Sequence, residues 1–213
     1  MRIAGLRSFS LIDYPGRPSA VVFTSGCNFR CPWCHNWKIA YGEESLDDNM
    51  ENVKMALRGK IRERVDAICV TGGEPTIHSD LPKFVEFLKS LGYLVKVDTN
   101  GSNSDMVKDM LKLANYFAID IKSRPEKYPL LTGIEINMWG KVEKTVKILR
   151  EYKVPHELRM TYVPGLSDKK DVDFLSEFSE DGENVFLTFA KSTSKFRIDN
   201  DIPYLKVSKI KIR

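Results

Sequence analysis

The chain has 213 residues, with 33 Lys plus Arg against 29 Asp plus Glu for a formal net charge of +4, and 42% of its residues are hydrophobic against 29% charged. That balance excludes an intrinsically disordered chain, and so small a basic excess does not suit a nucleic-acid binder, whose charge gathers in a dense stripe. No apolar run approaches the roughly 18 residues of a membrane span, and Met1 to Arg7 hold no secretory apolar core, so the expected protein is cytoplasmic, free of the membrane and of one domain.

Residues 1–18, with Pro15, Gly16 and Pro18, read as a short strand or flap leading into the first buried strand. Six short, β-branched apolar runs follow: Ala20 to Thr24, Ala67 to Thr71, Leu94 to Asp98, Phe117 to Ile121, Glu157 to Tyr162 and Val185 to Phe189. Most are too continuous for a strand with one solvated face, so they read as buried parallel strands. Between them lie helical stripes: Leu46, Met50, Val53 and Leu57; Leu81, Phe84, Leu88 and Leu91; Val142, Val146 and Leu149. Ser79 or Asp80 caps the second of these, with Pro82 early and Gly92 at its end; Ser104 and Ser167 or Asp168 begin two later helices.

Strand–helix alternation implies a parallel sheet with helices outside, either an open doubly wound sheet or a curled, barrel-like one. Eight-unit barrels typically need about 250 residues, so six units here would make an incomplete barrel. In both architectures ligands collect at the carboxyl ends of the strands. Lys191 to Asn200 reads as a loop, and the tail from Lys206 to Arg213, alternating Lys206, Val207, Lys209, Ile210, Lys211 and Ile212, as a charged edge strand. The basic run Arg58, Lys60, Arg62 and Arg64 reads as a solvated turn. The expected organisation is an N-terminal extension at 1–18, the main α/β unit at 19–190, and a C-terminal loop and edge strand at 191–213.

Three of the four cysteines crowd into one loop after the first predicted strand, in the segment Gly26, Cys27, Asn28, Phe29, Arg30, Cys31, Pro32, Trp33, Cys34, His35, Asn36. Such clustering in a reducing compartment points to metal rather than to disulfides. Thiolates suit zinc, copper(I) or iron–sulfur clusters and not magnesium. Structural zinc normally takes four protein ligands. His35 or Cys69 would have to be the fourth. His35 adjoins Cys34, which makes joint ligation awkward, and Cys69 sits within Ala67, Ile68, Cys69, Val70, where a small buried hydrophobe is the simpler reading. A cubane with one iron left free fits three thiolates; a zinc module is the non-enzymatic alternative.

After the second strand comes Thr71, Gly72, Gly73, Glu74, Pro75. The two glycines admit a close backbone approach, and Glu74 offers an acceptor for an ammonium group; a plain strand-to-helix turn is the alternative. Asp98, Thr99, Asn100 and Gly101 end the third strand, and Asp120, Ile121 and Lys122 the fourth. Carboxylates at adjacent strand ends repel unless a cation or proton lies between them, and otherwise each serves as a helix cap or turn residue. Lys122 would pair with one aspartate or meet a ligand carboxylate. Arg159, charged within an apolar strand, requires a partner, which is either a ligand or a structural salt bridge. His78 and His156 both read more simply as structural than as functional residues, with His78 open to solvent after the glycine motif.

The spacing of Cys27, Cys31 and Cys34, with Trp33 just before the last, resembles the signature of the radical S-adenosylmethionine (SAM) enzymes. A longer stretch, Ser10, Leu11, Ile12, Asp13, Tyr14, Pro15, Gly16 and then the cysteine loop through Asn36, is similar to the activating enzymes of glycyl-radical proteins. Within them it is most similar to the branch acting on anaerobic ribonucleoside-triphosphate reductase, with pyruvate formate-lyase activating enzymes as close cousins. The resemblance covers residues 3 to 166.

It implies an incomplete (β/α)6 barrel and a 4Fe–4S cluster on Cys27, Cys31 and Cys34, with Trp33 alongside. SAM would chelate the free iron, its amine held by Gly72, Gly73 and Glu74, with Asn100, Lys122 and a catalytic Arg159 as further contacts. Asp98 and Asp120 would hold a monovalent cation. An electron from flavodoxin or ferredoxin would cleave SAM to methionine and a 5′-deoxyadenosyl radical, which takes hydrogen from a backbone glycine of the partner, here anaerobic ribonucleotide reductase. Two departures are visible. Where pyruvate formate-lyase activating enzymes carry a histidine near the end of the sixth strand, this chain reads Leu187, Thr188, Phe189, Ala190, Lys191. A second cysteine cluster, which marks the larger activases with a ferredoxin-like insert, is missing. A radical SAM enzyme acting on a small molecule is the alternative within the same superfamily.

Overall fold

All six predicted runs form strands in the middle of one eight-stranded sheet. The computed structural model describes residues 1–42, 50–199 and 209–212. β1 (Ile3–Ser10) pairs antiparallel with β2 (Ser19–Thr24). β3 (Ala67–Gly72), β4 (Leu94–Thr99), β5 (Tyr116–Asp120), β6 (His156–Tyr162), β7 (Asn184–Phe189) and β8 (Lys211–Ile212) each run parallel to the strand before. Spatial order follows chain order throughout. Doubly wound sheets reverse their order at a switch point, so the curled alternative is the one realised. β1 and β8 are the edges and do not pair with each other, and the curl stays open among the described residues.

The helices sit where the apolar stripes place them. In α2 (Met50–Arg58) Val53 and Leu57 are buried; Leu46 lies outside the described residues. α3 (Leu81–Ser90) buries Leu81, Phe84, Val85 and Leu88, while Leu91 is its half-buried cap. Asp80 holds the N-cap position of α3 but spends its carboxylate on the Met1 amino group. α4 (Ser104–Met110) starts at Ser104, with Asn103 as its cap. α6 (Trp139–Glu151) buries Val142, Val146 and Leu149, and α7 (Lys169–Phe178) begins on a reciprocal cap between Asp168 and Asp171. Two five-residue helices, α1 (Trp37–Tyr41) and α5 (Tyr128–Thr132), were not foreseen because neither is long enough to write a stripe. Of the foreseen tail strand, Lys211 and Ile212 form β8, while Lys206, Val207 and Arg213, like Asn200 of the preceding loop, lie outside the described residues. The basic segment is solvated as expected, with Arg58, Lys60, Arg62 and Arg64 all exposed; Arg62 also donates to the Leu91 carbonyl at 2.8 Å and lies over the Tyr93 ring. No described helix is long and apolar enough to cross a membrane.

Alternation along the strands separates two layers. Ile68, Val70, Val95, Val97, Phe117, Ile119, Leu158 and Leu187 join the apolar core beneath the helices. The residues between them, Cys69, Lys96, Asp98, Asp120, Glu157 and Arg159, face the inside of the curl. Both faces are thus covered, as a parallel sheet requires, but the inner one is polar. The segment after β1 covers the lower end of this inner face: the Asp13 carbonyl accepts from Lys96 Nζ at 2.8 Å, and Tyr14 packs on Tyr116 at 6.2 Å.

At the opposite end from the cysteine loop, Arg150 grips Glu183 with two hydrogen bonds of 2.8 and 2.7 Å, and His156 Nε2 meets the same carboxylate at 2.9 Å. Burial would raise the Glu183 carboxyl, but the bonds from Arg150 and His156 outweigh it and hold it at about 2. A carboxylate held low when folded contributes stability above its unfolded value and loses it as pH falls toward the folded one. The thermal midpoint is therefore expected to drop between about pH 5 and pH 2, and Glu183→Gln to start lower at neutral pH and fall less steeply. Parallel slopes for the two proteins in a thermal melt series would contradict this.

Candidate cysteine-loop active site

A cavity of about 260 Å³ opens at the carboxyl ends of the strands, and Cys27, Cys31 and Cys34 all line it. Also on its wall are Trp33, Gly72, Gly73, Glu74, Asp98, Asn100, Asp120 and Lys122. Five consecutive strand ends, from β2 to β6, therefore converge on one space. Of the site residues read from the sequence, Arg159 alone is not among those lining it. Thr161 at the end of β6, and Asn36 and Ala40 at α1, are wall residues that sequence reasoning did not select. Thr161 carried a usable signal, lying two residues beyond Arg159 on the same strand face, and Asn36 closes the cysteine loop; Ala40 carried none.

The loop's shape is fixed by backbone anchors. Arg30 N–H donates to the Thr132 carbonyl at 2.8 Å and Trp33 Nε1 to the Leu131 carbonyl at 3.0 Å, which ties the loop to α5. Cys34 N–H donates to the Cys31 carbonyl at 3.1 Å, turning both side chains to one side, and Phe29 N–H donates to Cys27 Sγ at 3.3 Å. Asn100 Nδ2 bridges to Asn28 Oδ1 at 2.9 Å and lies 4.0 Å from Cys27 Sγ, while its Oδ1 accepts from Ser102 N–H at 2.9 Å. Burial pushes the Cys27 thiol up to about 11 and Cys31 to about 12, with the nearby Lys122 charge opposing in both cases; Cys34 is raised for the same reason.

The glycine pair serves the protein backbone first. A Cβ on Gly72 (φ +118°) would stand 2.4 Å from Thr24 N, and one on Gly73 would stand 1.9 Å from the Gly26 carbonyl oxygen. Gly73 N–H donates to the Thr24 carbonyl at 2.9 Å and Glu74 N–H to the Gly26 carbonyl at 2.8 Å. The end of β3 is thus stitched directly onto the start of the cysteine loop. Glu74 is 1% exposed, and its carboxylate accepts from Thr76 N–H, the Thr76 and Thr99 hydroxyls and Asn100 N–H, at 2.6 to 3.0 Å. Burial raises its carboxyl against these four donors, and no cationic side chain pairs with it among the described residues.

Asp98 and Asp120 do have a cation between them, the guanidinium of Arg159, which meets Asp98 Oδ2 and Asp120 Oδ1 at 3.0 Å each. Lys96 completes Asp98 at 3.1 Å and Lys122 completes Asp120 at 3.0 Å. Arg159 thus has the structural salt-bridge partners that a charge within an apolar strand requires. Burial works against the Asp120 charge, but Arg159 and Lys122 hold its carboxyl at about 2. Cys69 is fully buried as expected, yet on the polar inner face beside Lys96 and Asp98, rather than in the apolar layer. His78 is half-buried and structural, its Nε2 lying 3.1 Å from the Ser25 carbonyl. Among the described residues no three His, Cys, Asp or Glu side chains gather closely enough to hold a single metal ion. A cubane asks less of the thiols, since each meets a different iron.

The radical SAM superfamily signature matches residues 21–178. A Methanocaldococcus jannaschii protein named as a putative glycyl-radical enzyme activating enzyme is 32% identical over 190 residues, covering 84% of this chain and 75% of its own. A 7-carboxy-7-deazaguanine synthase of Aquifex aeolicus is 40% identical over 101 residues, covering 46% of this chain and 42% of its own. Among solved structures, Streptococcus suis SuiB bound to S-adenosylmethionine superposes with a TM-score of 0.67 at 17% identity, covering 85% of this chain and 43% of SuiB. The chain thus spans three quarters of the first relative and less than half of the other two, and its likeness to SuiB is one of fold.

Proposed function

The chain belongs to the radical SAM superfamily, and on that footing we propose that it is an activating enzyme for a glycyl-radical protein, with Cys27, Cys31 and Cys34 holding a 4Fe–4S cluster. The donor set fits: three soft sulfurs line one sheltered cavity, and soft thiolates are the ligands such clusters take. When bound, the cluster supplies the electron that splits SAM into methionine and a 5′-deoxyadenosyl radical, the species that removes hydrogen from a backbone glycine.

The chain's own residues hold, orient and shield. The observation that carries the reading is the pairing, on one wall, of the three thiols with Glu74, a buried carboxylate with no cationic partner among the described residues. Its field favours a cationic ligand, which suits the ammonium and sulfonium of SAM. The glycine turn keeps that carboxylate against the cysteine loop, and Asn100 ties the two together. Trp33 and Phe29 present apolar surface to the space and help exclude water. The anaerobic ribonucleotide reductase branch is the proposed partner class and flavodoxin or ferredoxin the proposed donor, acting in the cytoplasm, where cysteines stay reduced and open to cluster ligation.

Purified anaerobically and mixed with reductant, SAM and an anaerobic ribonucleotide reductase, the protein is expected to give a brown solution and a doublet glycyl-radical signal by electron paramagnetic resonance. Normal SAM cleavage with no doublet on any glycyl-radical partner would favour a small-molecule substrate. Colourless protein carrying zinc would defeat the cluster assignment.

A further inference from the structure

A run of alternating charges crosses the inside of the curl and ends at the cysteine loop. From base to cavity the ion pairs are Lys96–Asp98 at 3.1 Å, Asp98–Arg159 at 3.0 Å, Arg159–Asp120 at 3.0 Å and Asp120–Lys122 at 3.0 Å. The base is pinned by the Asp13 carbonyl on Lys96 Nζ. The far end is a cation on the cavity wall: Lys122 Nζ lies 5.4 Å from the centroid of the Trp33 ring, and Trp33 stands between Cys31 and Cys34 in the chain. Lys122 is held in place, because Arg159 clamps one oxygen of Asp120 while the other binds the ammonium.

We infer that Lys122, positioned by Asp120 and Arg159, raises the reduction potential of the cluster seated on Cys27, Cys31 and Cys34. This rests on the functional reading above and gives Lys122 a task besides the SAM contact that the resemblance implies for it. Reduction adds one negative charge to the cluster, and a fixed cation in a poorly screened cavity stabilises that state more than the oxidised one. Asp120 works in the opposite sense, and because Arg159 shares its charge, it neutralises Lys122 only in part. Lys122, Asp120 and Arg159 are thus positioning residues for electron entry.

Wild-type protein, Lys122→Met and Asp120→Asn are reconstituted anaerobically without SAM, their iron is counted, and each is titrated with reductant while the reduced-cluster resonance is followed. Lys122→Met is expected to lower the midpoint potential and Asp120→Asn to raise it. Opposite signs are the discriminating feature, since a loosened loop would move both variants alike. Unchanged potentials, or shifts of the same sign, overturn the inference. Should Lys122→Met fail to hold iron, Lys122→Gln decides alone, a lowered potential supporting the assignment and an unchanged or raised one defeating it. Wild-type protein that takes up no iron would instead remove the cluster reading itself, and the iron count tells the two failures apart.

Discussion

Cys34→Ser is expected to strip the chain of most of its iron and to reduce SAM cleavage by at least about 100-fold, since even loss of an outer-shell partner costs 10- to 100-fold in metal affinity or activity. The hydroxyl of serine is a hard, weakly acidic donor, and it cannot replace a soft thiolate on iron. Cys34 reaches the cavity because its amide is fastened to the Cys31 carbonyl, so the substitution changes the donor without moving the loop. Cys69→Ala is the matched control. That thiol is fully buried on the inner face and is not on the cavity wall, so iron content should stay at the wild-type level. Iron analysis with a methionine-release assay checks both, and iron loss in Cys69→Ala alone would make it the ligand in place of Cys34.

Gly73→Ala should be nearly as damaging by a different route. Its methyl group would stand 1.9 Å from the Gly26 carbonyl oxygen and 2.6 Å from the Gly26 carbonyl carbon, and neither is the movable end of a side chain. The turn after β3 must then separate from the cysteine loop, breaking the Glu74 N–H to Gly26 hydrogen bond on which their alignment depends. Overpacking of this kind costs roughly 1–3 kcal/mol, and the displaced Glu74 should weaken SAM binding beyond what that loss alone explains. Gly140→Ala, in α6 with open space around the added methyl, should instead be neutral or mildly stabilising. Thermal melts and equilibrium binding of SAM measure the two effects, and a Gly73→Ala protein with wild-type melting and binding would refute the steric argument.

The strand–helix rhythm was readable because β2 to β7 are apolar runs, α2, α3 and α6 carry stripes, and α4 and α7 begin at cap residues; α1 and α5, at five residues, carry none of these. The candidate site was readable wherever its residues lie together in sequence. Cys27, Cys31 and Cys34 share one loop, Gly72 to Glu74 share one turn, and Asp98 with Asn100 or Asp120 with Lys122 share one strand end. Sequence could say that Arg159 needs a partner, but not which one.

By itself, then, the sequence determined the strand ends where chemistry gathers, the soft donor set and the repeating α/β unit, since each is written in the spacing of near neighbours. Tertiary structure alone decided that Arg159 joins Asp98 and Asp120, partners 61 and 39 residues away, and that Cys69 and Lys96 belong to a polar interior. It also decided that the Glu74 carboxylate is held by donors from two different strand ends. A two-residue period fixes which side chains share a face of a strand. What that face meets depends on how the sheet curls, and curl is a property of all the strands together.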